Sequence, residues 1–342
     1  MLLGVDVGGT FTDAVLVDGD RITTAKAPTT PEDQSAGVLA AIDAVLAEAG
    51  RAAEDVDAFA HGMTVATNAL LEGEGARTAL AVTEGFVDLV ELGRQARRHL
   101  YRLEAAHPPP LVPPERRIPV PERIAADGEV LRALADPAAV AELIAALGVD
   151  AVAVCLLHAD RHPEHERALG EAIRTRLPEV HVSLSHEVVG TFREYERAAT
   201  TEIDAALSPL LAAYLARLAS AAAERGLPAP EVMQSSGGLT ALPTAAAHAA
   251  FTVLSGPAGG AAAAALIAEA SGEPDLLCFD MGGTSCDVCV VEGGRVRETT
   301  GREVGGRPLA LGMVDVHTVG AGGGSIGWRD PGGALRVGPR SA

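Results

Sequence analysis

Val5-Asp6-Val7-Gly8-Gly9-Thr10-Phe11-Thr12-Asp13 decides the reading of this chain, because it returns 274 residues later as Phe279-Asp280-Met281-Gly282-Gly283-Thr284-Ser285-Cys286-Asp287. Each copy ends an apolar run that reads as a buried strand. Each then passes through a Gly-Gly turn that a Cβ would hinder. A β-type pattern resumes as Ala14 to Val17 in the first copy and Val288 to Val291 in the second. Asp18-Gly19 and Glu292-Gly293-Gly294 then give tight turns. The repeated element is therefore strand, Gly-Gly turn, strand, tight turn, strand.

A strand followed by Gly-Gly-Thr exposes consecutive backbone N–H groups, which makes an anion-binding nest. The Thr10 and Thr284 hydroxyls can donate to phosphate oxygens. Asp6 and Asp280 cannot touch phosphate directly, since like charges repel. They make sense if Mg²⁺ or its waters lie between, or if one orients a nucleophile. One such turn is a modest signal, with a plain hairpin as the bland alternative. Two in one register form a phosphate clamp, which makes ATP and Mg²⁺ the expected cofactors. The expected nucleotide contacts are Gly8, Gly9, Thr10, Thr12, Asp13, Gly282, Gly283, Thr284 and Ser285. Asp6 and Asp280 are the expected catalytic and metal-holding carboxylates.

Between the copies, helix and strand patterns alternate, which gives an α/β class. Thr30-Pro31-Glu32-Asp33 reads as a helix start, followed by Val38, Leu39, Ile42, Val45 and Leu46 on one face. Asp136-Pro137 opens another helix, and Ala151 to Leu157 is an almost continuous apolar strand, as in a buried parallel sheet. A long helical region from about Ala198 to Arg225 contains Pro209. Ala105 to Pro121 holds seven prolines and is expected to be extended and exposed. The predicted boundary separates residues 1–187 from 188–342.

The bulk composition narrows the partners. Hydrophobic residues make up 48% of 342 and the net charge is −19. An acidic surface repels nucleic acid and anionic lipid, so neither is expected as a partner. The start has no basic region typical of a signal peptide, and no uninterrupted apolar run reads as a membrane span; a cytoplasmic protein is expected. The four cysteines read as free and buried. Cys286 and Cys289 are three apart in a strand and so face opposite ways. His158, Asp160, His162, His165 and Glu166 suggest a metal cluster, but a capped helix start explains them better.

Several further segments resemble the hydantoinase A/5-oxoprolinase family. They are His61-Gly62-Met63-Thr64-Val65-Ala66-Thr67-Asn68, Glu91-Leu92-Gly93-Arg94-Gln95, Arg193-Glu194-Tyr195-Glu196-Arg197, Gln234-Ser235-Ser236-Gly237-Gly238, Ser255-Gly256-Pro257-Ala258-Gly259-Gly260 and Asp315-Val316-His317-Thr318-Val319-Gly320-Ala321-Gly322-Gly323-Gly324-Ser325. With the two glycine units they occur in the family's order over essentially the whole chain. The resemblance implies the fold of the actin, sugar kinase and heat-shock chaperone superfamily: two ribonuclease-H-like domains with ATP in the cleft between them. It implies that the second domain is incomplete here, since family modules run further. It also marks Met63 as a departure, because the family usually carries Thr there.

The resemblance adds site residues. His61 is an expected catalytic contact at a strand end, while Thr64, Thr67, Asn68 and Arg94 are expected at the substrate. Arg94, Arg97 and Arg98 otherwise read as a basic, solvated face. Asp315 and His317 could bind a metal, with a supporting hydrogen-bond role equally open. Gly322, Gly323 and Gly324 are expected to approach the nucleotide. Ser255 to Gly260 reads as hinge packing in preference to an anion site. The implied activity is an ATP-dependent hydrolase that phosphorylates the carbonyl oxygen of a cyclic amide of the hydantoin or 5-oxoproline type. A B-type subunit is the implied partner, and homo-oligomers are compatible. The alternatives are an ATP-dependent ketone carboxylase subunit, a sugar-kinase-like enzyme and a non-enzymatic ATP-driven switch.

Overall fold

The computed structural model describes residues 1–8, 11–30, 34–102, 106–283 and 285–341. The chain folds as mixed α/β. The first glycine unit forms three antiparallel strands, β1 (Leu2–Val7), β2 (Phe11–Asp18) and β3 (Arg21–Pro28). Strand β4 (Ala58–Met63) adds parallel to β1. Glu231–Met233 adds parallel to β4, and Leu239–Ala241 closes that edge. This six-stranded sheet draws on residues from both sides of position 187.

Residues between β4 and Glu231 build a second sheet, whose four strands are all parallel. Its order is His181–Leu184, Ala151–Cys155, Thr78–Thr83 and Arg117–Val120. The unbroken apolar run at Ala151 is explained by cover on both faces. Val152 and Val154 pack with Ile144, Leu169 and Ile173 of two helices, while Ala151 and Ala153 pack with Ala198 and Ala205 of the long helix Glu194–Glu224. Asp136 caps the helix Pro137–Ala145 by accepting the Ala139 N–H at 2.9 Å. Pro31, Glu32 and Asp33 of the other expected helix start lie outside the described residues, and that helix is α1 (Gln34–Ala49).

Two expectations change. The proline-rich stretch is not simply exposed: Val112, Arg117 and Val120 are buried, and Arg117–Val120 is an edge strand. Proline is tolerated at such an edge because one row of N–H groups there needs no partner. The long helix Glu194–Glu224 is, by length and composition, apolar enough to span a bilayer. It is instead a core helix, with Arg197, Glu202 and Asp204 buried along it. The Arg197 guanidinium donates to Asp160 Oδ1 at 3.0 Å, to Thr191 O at 2.9 Å and to Leu156 O at 2.6 Å.

A third sheet carries the second glycine unit, with Leu276–Met281, Cys286–Glu292, Arg295–Val296 and Val316–Val319 all antiparallel. One face packs on the helix Ser255–Ser271 through Cys289, Val316, Ala258 and Ala261. The other face differs from its counterpart in the first copy. Leu3, Val5 and Val7 are 1%, 3% and 0% exposed, whereas Leu277, Phe279 and Met281, at the same offset, are 69%, 60% and 56% exposed.

Candidate functional site

The two glycine units close in the same way. The Gly8 N–H donates to Phe11 O at 3.0 Å, and the Gly282 N–H donates to Ser285 O at 2.9 Å. Asp6 stands opposite Asp13 across β1 and β2, and Asp280 stands opposite Asp287. Directly opposed like charges oppose pairing, so each row needs relief. In the first unit Lys26 of β3 stands opposite Asp13 and pairs with it at 2.9 Å. In the second, Thr318 stands opposite Asp287 and donates to it at 2.6 Å. Among the described residues, the Asp6 and Asp280 carboxylates have neither an ion pair nor such a side-chain hydrogen bond. Partial enclosure by the protein, then the charges of Asp13 and Asp280, raise the Asp6 pKa above the usual carboxylate value. Asp280 is therefore close enough for its charge to be felt at Asp6.

Two glycines make room for these carboxylates. Gly62 pairs with Asp6 across the parallel β1–β4 ladder. A Cβ at Gly62 would lie 2.7 Å from Asp6 Oδ1, and one at Gly260 would lie 3.3 Å from Asp280 Oδ2. Gly260 belongs to the helix Ser255–Ser271, whose Ser255 hydroxyl donates to Met63 O at 2.9 Å. The helix thus touches the end of β4 and the second glycine unit alike, and its small residues serve close packing. Gly62, Gly260 and Lys26 escaped the sequence reading. Pairing β4 in register with β1 would have found Gly62.

Other expected residues fall around this centre or away from it. Gly9, Thr10 and Thr284 lie outside the described residues. Thr12 is fully buried, beside the Thr29 hydroxyl at 3.2 Å, and Thr29 in turn donates to Gly8 O at 2.9 Å. It supports the turn from beneath and does not face a nucleotide. Thr64 donates to Val7 O at 3.2 Å, and Asn68 donates to Thr64 at 3.3 Å, at the start of the helix α2 (Val65–Glu72). The Thr67 hydroxyl accepts the Leu254 N–H at 2.8 Å. These three side chains brace the end of β1 and the loop before Ser255.

His61 is a correction. Adjacent strand residues point to opposite faces, so while Gly62 lies under Asp6, His61 points into the core. It is fully buried, with Nε2 2.8 Å from the Tyr214 hydroxyl. Burial lowers its pKa to about 4, so it is a neutral core histidine. Met63 is also buried in that core, and the missing threonine hydroxyl therefore removes nothing from the site.

His317 is corrected too. His317 pairs with Val288, and Val288 with Phe279. That row lies on the face opposite Asp280, Asp287 and Thr318, so His317 cannot share an ion with Asp280. Asp315 is exposed between strands, its N–H donating to Arg297 O. Gly322 donates its N–H to the Ser325 hydroxyl, while the Gly323 and Gly324 N–H groups donate to Gly282 O and Gly283 O at 2.9 and 2.8 Å. The glycine run holds the second turn in place and does not offer those donors to a ligand. Arg94 is engaged by Glu196 through two bonds, 2.8 and 2.5 Å.

The model of the hydantoinase/oxoprolinase N-terminal region matches residues 2–177, and the hydantoinase/oxoprolinase model matches residues 197–342. The caprolactamase alpha subunit of Pseudomonas jessenii is 35% identical over 350 residues, covering 99% of this chain and 50% of that protein. The acetophenone carboxylase gamma subunit of Aromatoleum aromaticum is 35% identical over 363 residues, covering 99% and 49%. The crystal structure of ATP-dependent caprolactamase from Pseudomonas jessenii matches with a TM-score of 0.90 at 34% identity, over 100% of this chain and 51% of that one. The chain spans about half the length of the curated relatives it matches. With both family models matched in order over nearly its whole length, the chain belongs to the hydantoinase/oxoprolinase family.

Proposed function

We propose that this chain is the nucleotide-binding part of an ATP-dependent enzyme that activates the carbonyl oxygen of a cyclic amide. The observation that carries the reading is the pair of like-built turns, both reached by the helix Ser255–Ser271, with the charge of Asp280 contributing to the raised pKa of Asp6. In this reading the two glycine units belong to two ribonuclease-H-like halves, and ATP lies between them. Gly9 and Thr10 take phosphate from one side and Gly283 and Thr284 from the other, while the Gly8 and Gly282 N–H groups close the two turns.

Asp6 and Asp280 fit Mg²⁺, which takes one or two carboxylates and fills its remaining positions with water and phosphate. When bound, that ion neutralises charge on the transferring phosphoryl group. The chain's own residues do the positioning. Gly62 and Gly260 let the two carboxylates seat without a Cβ beneath them, and Lys26 and Thr318 quiet the charges of Asp13 and Asp287.

An unstrained amide resists water because nitrogen donation makes its carbonyl a poor electrophile. Transfer of the γ-phosphoryl group forms a bond to the carbonyl oxygen as the bond to ADP breaks. Water then adds to the carbon, and the C–N bond breaks with a proton passing to nitrogen, leaving an acyl phosphate from which a second water releases phosphate. ATP, amide and two waters give ADP, phosphate and the ring-opened amino acid. The matched relatives named as alpha and gamma subunits support a second subunit that shares this work.

A second reading, supported by the acetophenone carboxylase relative, has the same transfer act on the oxygen of a ketone enolate. ADP release separates the two. Chain and partner subunit would be incubated with ATP and hydantoin, 5-oxoproline, a lactam, or a ketone with bicarbonate. Release driven by the cyclic amides is expected. Release driven by ketone and bicarbonate alone would replace the first reading with the second.

A further inference from the structure

The first glycine unit is covered where the second is bare. In the first, α1 lies across the face that carries Leu3, Val5 and Val7. Its Gly37 sits so close that a Cβ there would stand 3.3 Å from Thr12 Oγ1, and Val38, Ile42 and Val45 share one core with the three strand residues. The outer edge of β1 is closed as well, by the parallel strand β4. Both covers come from the stretch after β3, helix first and then strand.

The second unit lacks both. Leu277, Phe279 and Met281 hold the places of Leu3, Val5 and Val7, and Val290 and Val319 share their face through the pairs Leu277–Val290, Met281–Cys286 and Cys286–Val319. All five apolar side chains are exposed. The strand Leu276–Met281 is also the edge of its sheet. The Gly282 N–H turns toward Ser285, so by alternation the N–H groups of Leu277, Phe279 and Met281 point out from that open edge. After Val319 the chain passes to the hairpin of Ser325–Arg329 with Leu335–Ser341. Among the described residues, nothing seals this face or pairs with this edge.

An apolar face and a row of open backbone groups, side by side, call for two covers held in a fixed relation. A lone helix would leave the edge open, and a lone strand would leave the face wet. A second copy joined edge to edge about a two-fold axis would pair antiparallel and bring no helix across the face. The first unit shows the cover that fits: a helix that crosses the face and returns the chain as a parallel strand, the connection that parallel pairing requires. We propose that the strand Leu276–Met281 docks a helix–strand unit of polypeptide outside these 342 residues. Its helix lies on Leu277, Phe279 and Met281 through an apolar stripe spaced as Val38, Ile42 and Val45 are, and its strand adds parallel to the edge. The caprolactamase and acetophenone carboxylase relatives, of which this chain covers 50% and 49%, have the length to contain such a unit.

The test takes the synthetic peptide Gln34–Met63, which holds α1 and β4, as a labelled probe and titrates it with the 342-residue chain. A control peptide carries Val38→Asp, Ile42→Asp and Val45→Asp. The probe is expected to bind at least about tenfold more tightly than the control, whose apolar stripe is replaced by charge. Phe279→Asp in the chain should weaken the probe by about tenfold; Phe279 is exposed, so its loss leaves the fold in place. Bound probe should also slow hydrogen exchange at the Leu277, Phe279 and Met281 amides by about tenfold or more. Equal affinity for the control peptide, an affinity unchanged by Phe279→Asp, or exchange at these amides as fast as in the free chain each overturns the proposal. So does a dimer of the chain that Phe279→Asp dissolves and the probe does not, which assigns the face to a second copy.

Discussion

Gly62 lies directly beneath the Asp6 carboxylate, close enough that a Cβ would reach 2.7 Å from Oδ1. Parallel pairing of β4 with β1 sets this contact, so it is a property of the sheet and not of a loop that can yield. Gly62→Ala is expected to push the carboxylate aside while the fold survives, at a cost of about 1–3 kcal/mol. Steady-state ATP turnover should fall by about ten- to a hundredfold, because small displacements of a positioned group are costly. Turnover within twofold of the parent would mean that Asp6 does not act from this position.

His61 supplies a pH signature of the core. Its pKa is lowered to about 4 in the folded chain by burial, against about 6.5 when unfolded. Such a group contributes stability above the unfolded value and loses it as pH falls toward the folded one. Between pH 7 and pH 5 the loss comes to about 2 kcal/mol. A His61→Gln variant should lose that part of the pH dependence in urea unfolding while keeping its Mg²⁺-ATP affinity. A parallel fall in nucleotide affinity would return His61 to the site.

Two arginines at the start of the long helix, Arg197 within it and Arg94 bonded to its Glu196, should behave oppositely. Arg197 is buried and bonded to Asp160 and two carbonyls, so Arg197→Leu should cost about 3–5 kcal/mol by leaving Asp160 unpaired. Arg94 makes an exposed pair with Glu196, and Arg94→Ala should cost about 0–1 kcal/mol. Urea midpoints of the two variants give the comparison. A larger loss for Arg94→Ala would show that its pair, and not the Arg197 cluster, holds the long helix in place.

The repeat was legible in the sequence because its signal is backbone chemistry: Gly-Gly turns between apolar strands need no partner elsewhere in the chain. The α/β class and the Asp136 cap were legible for the same local reason. His61 was misread because a strand's two faces look alike until its neighbour is known. Once β4 is registered on β1, Gly62 falls under Asp6 and His61 must turn away. His317 failed in the same manner, through the Phe279–Val288–His317 row. The proline-rich stretch was misjudged because edge pairing of Arg117–Val120 depends on a strand 34 residues or more upstream.

The unequal exposure of the two repeats has a colloidal consequence. Leu277, Phe279 and Met281 present a sticky strip where their counterparts Leu3, Val5 and Val7 are sealed. A strip of that kind drives self-association, and the net charge of −19 opposes it by keeping molecules apart. Salt shortens the range of that repulsion to about 10 Å at 0.1 M. Wherever that sheet face stays uncovered, self-association is expected to rise with the ionic strength around it.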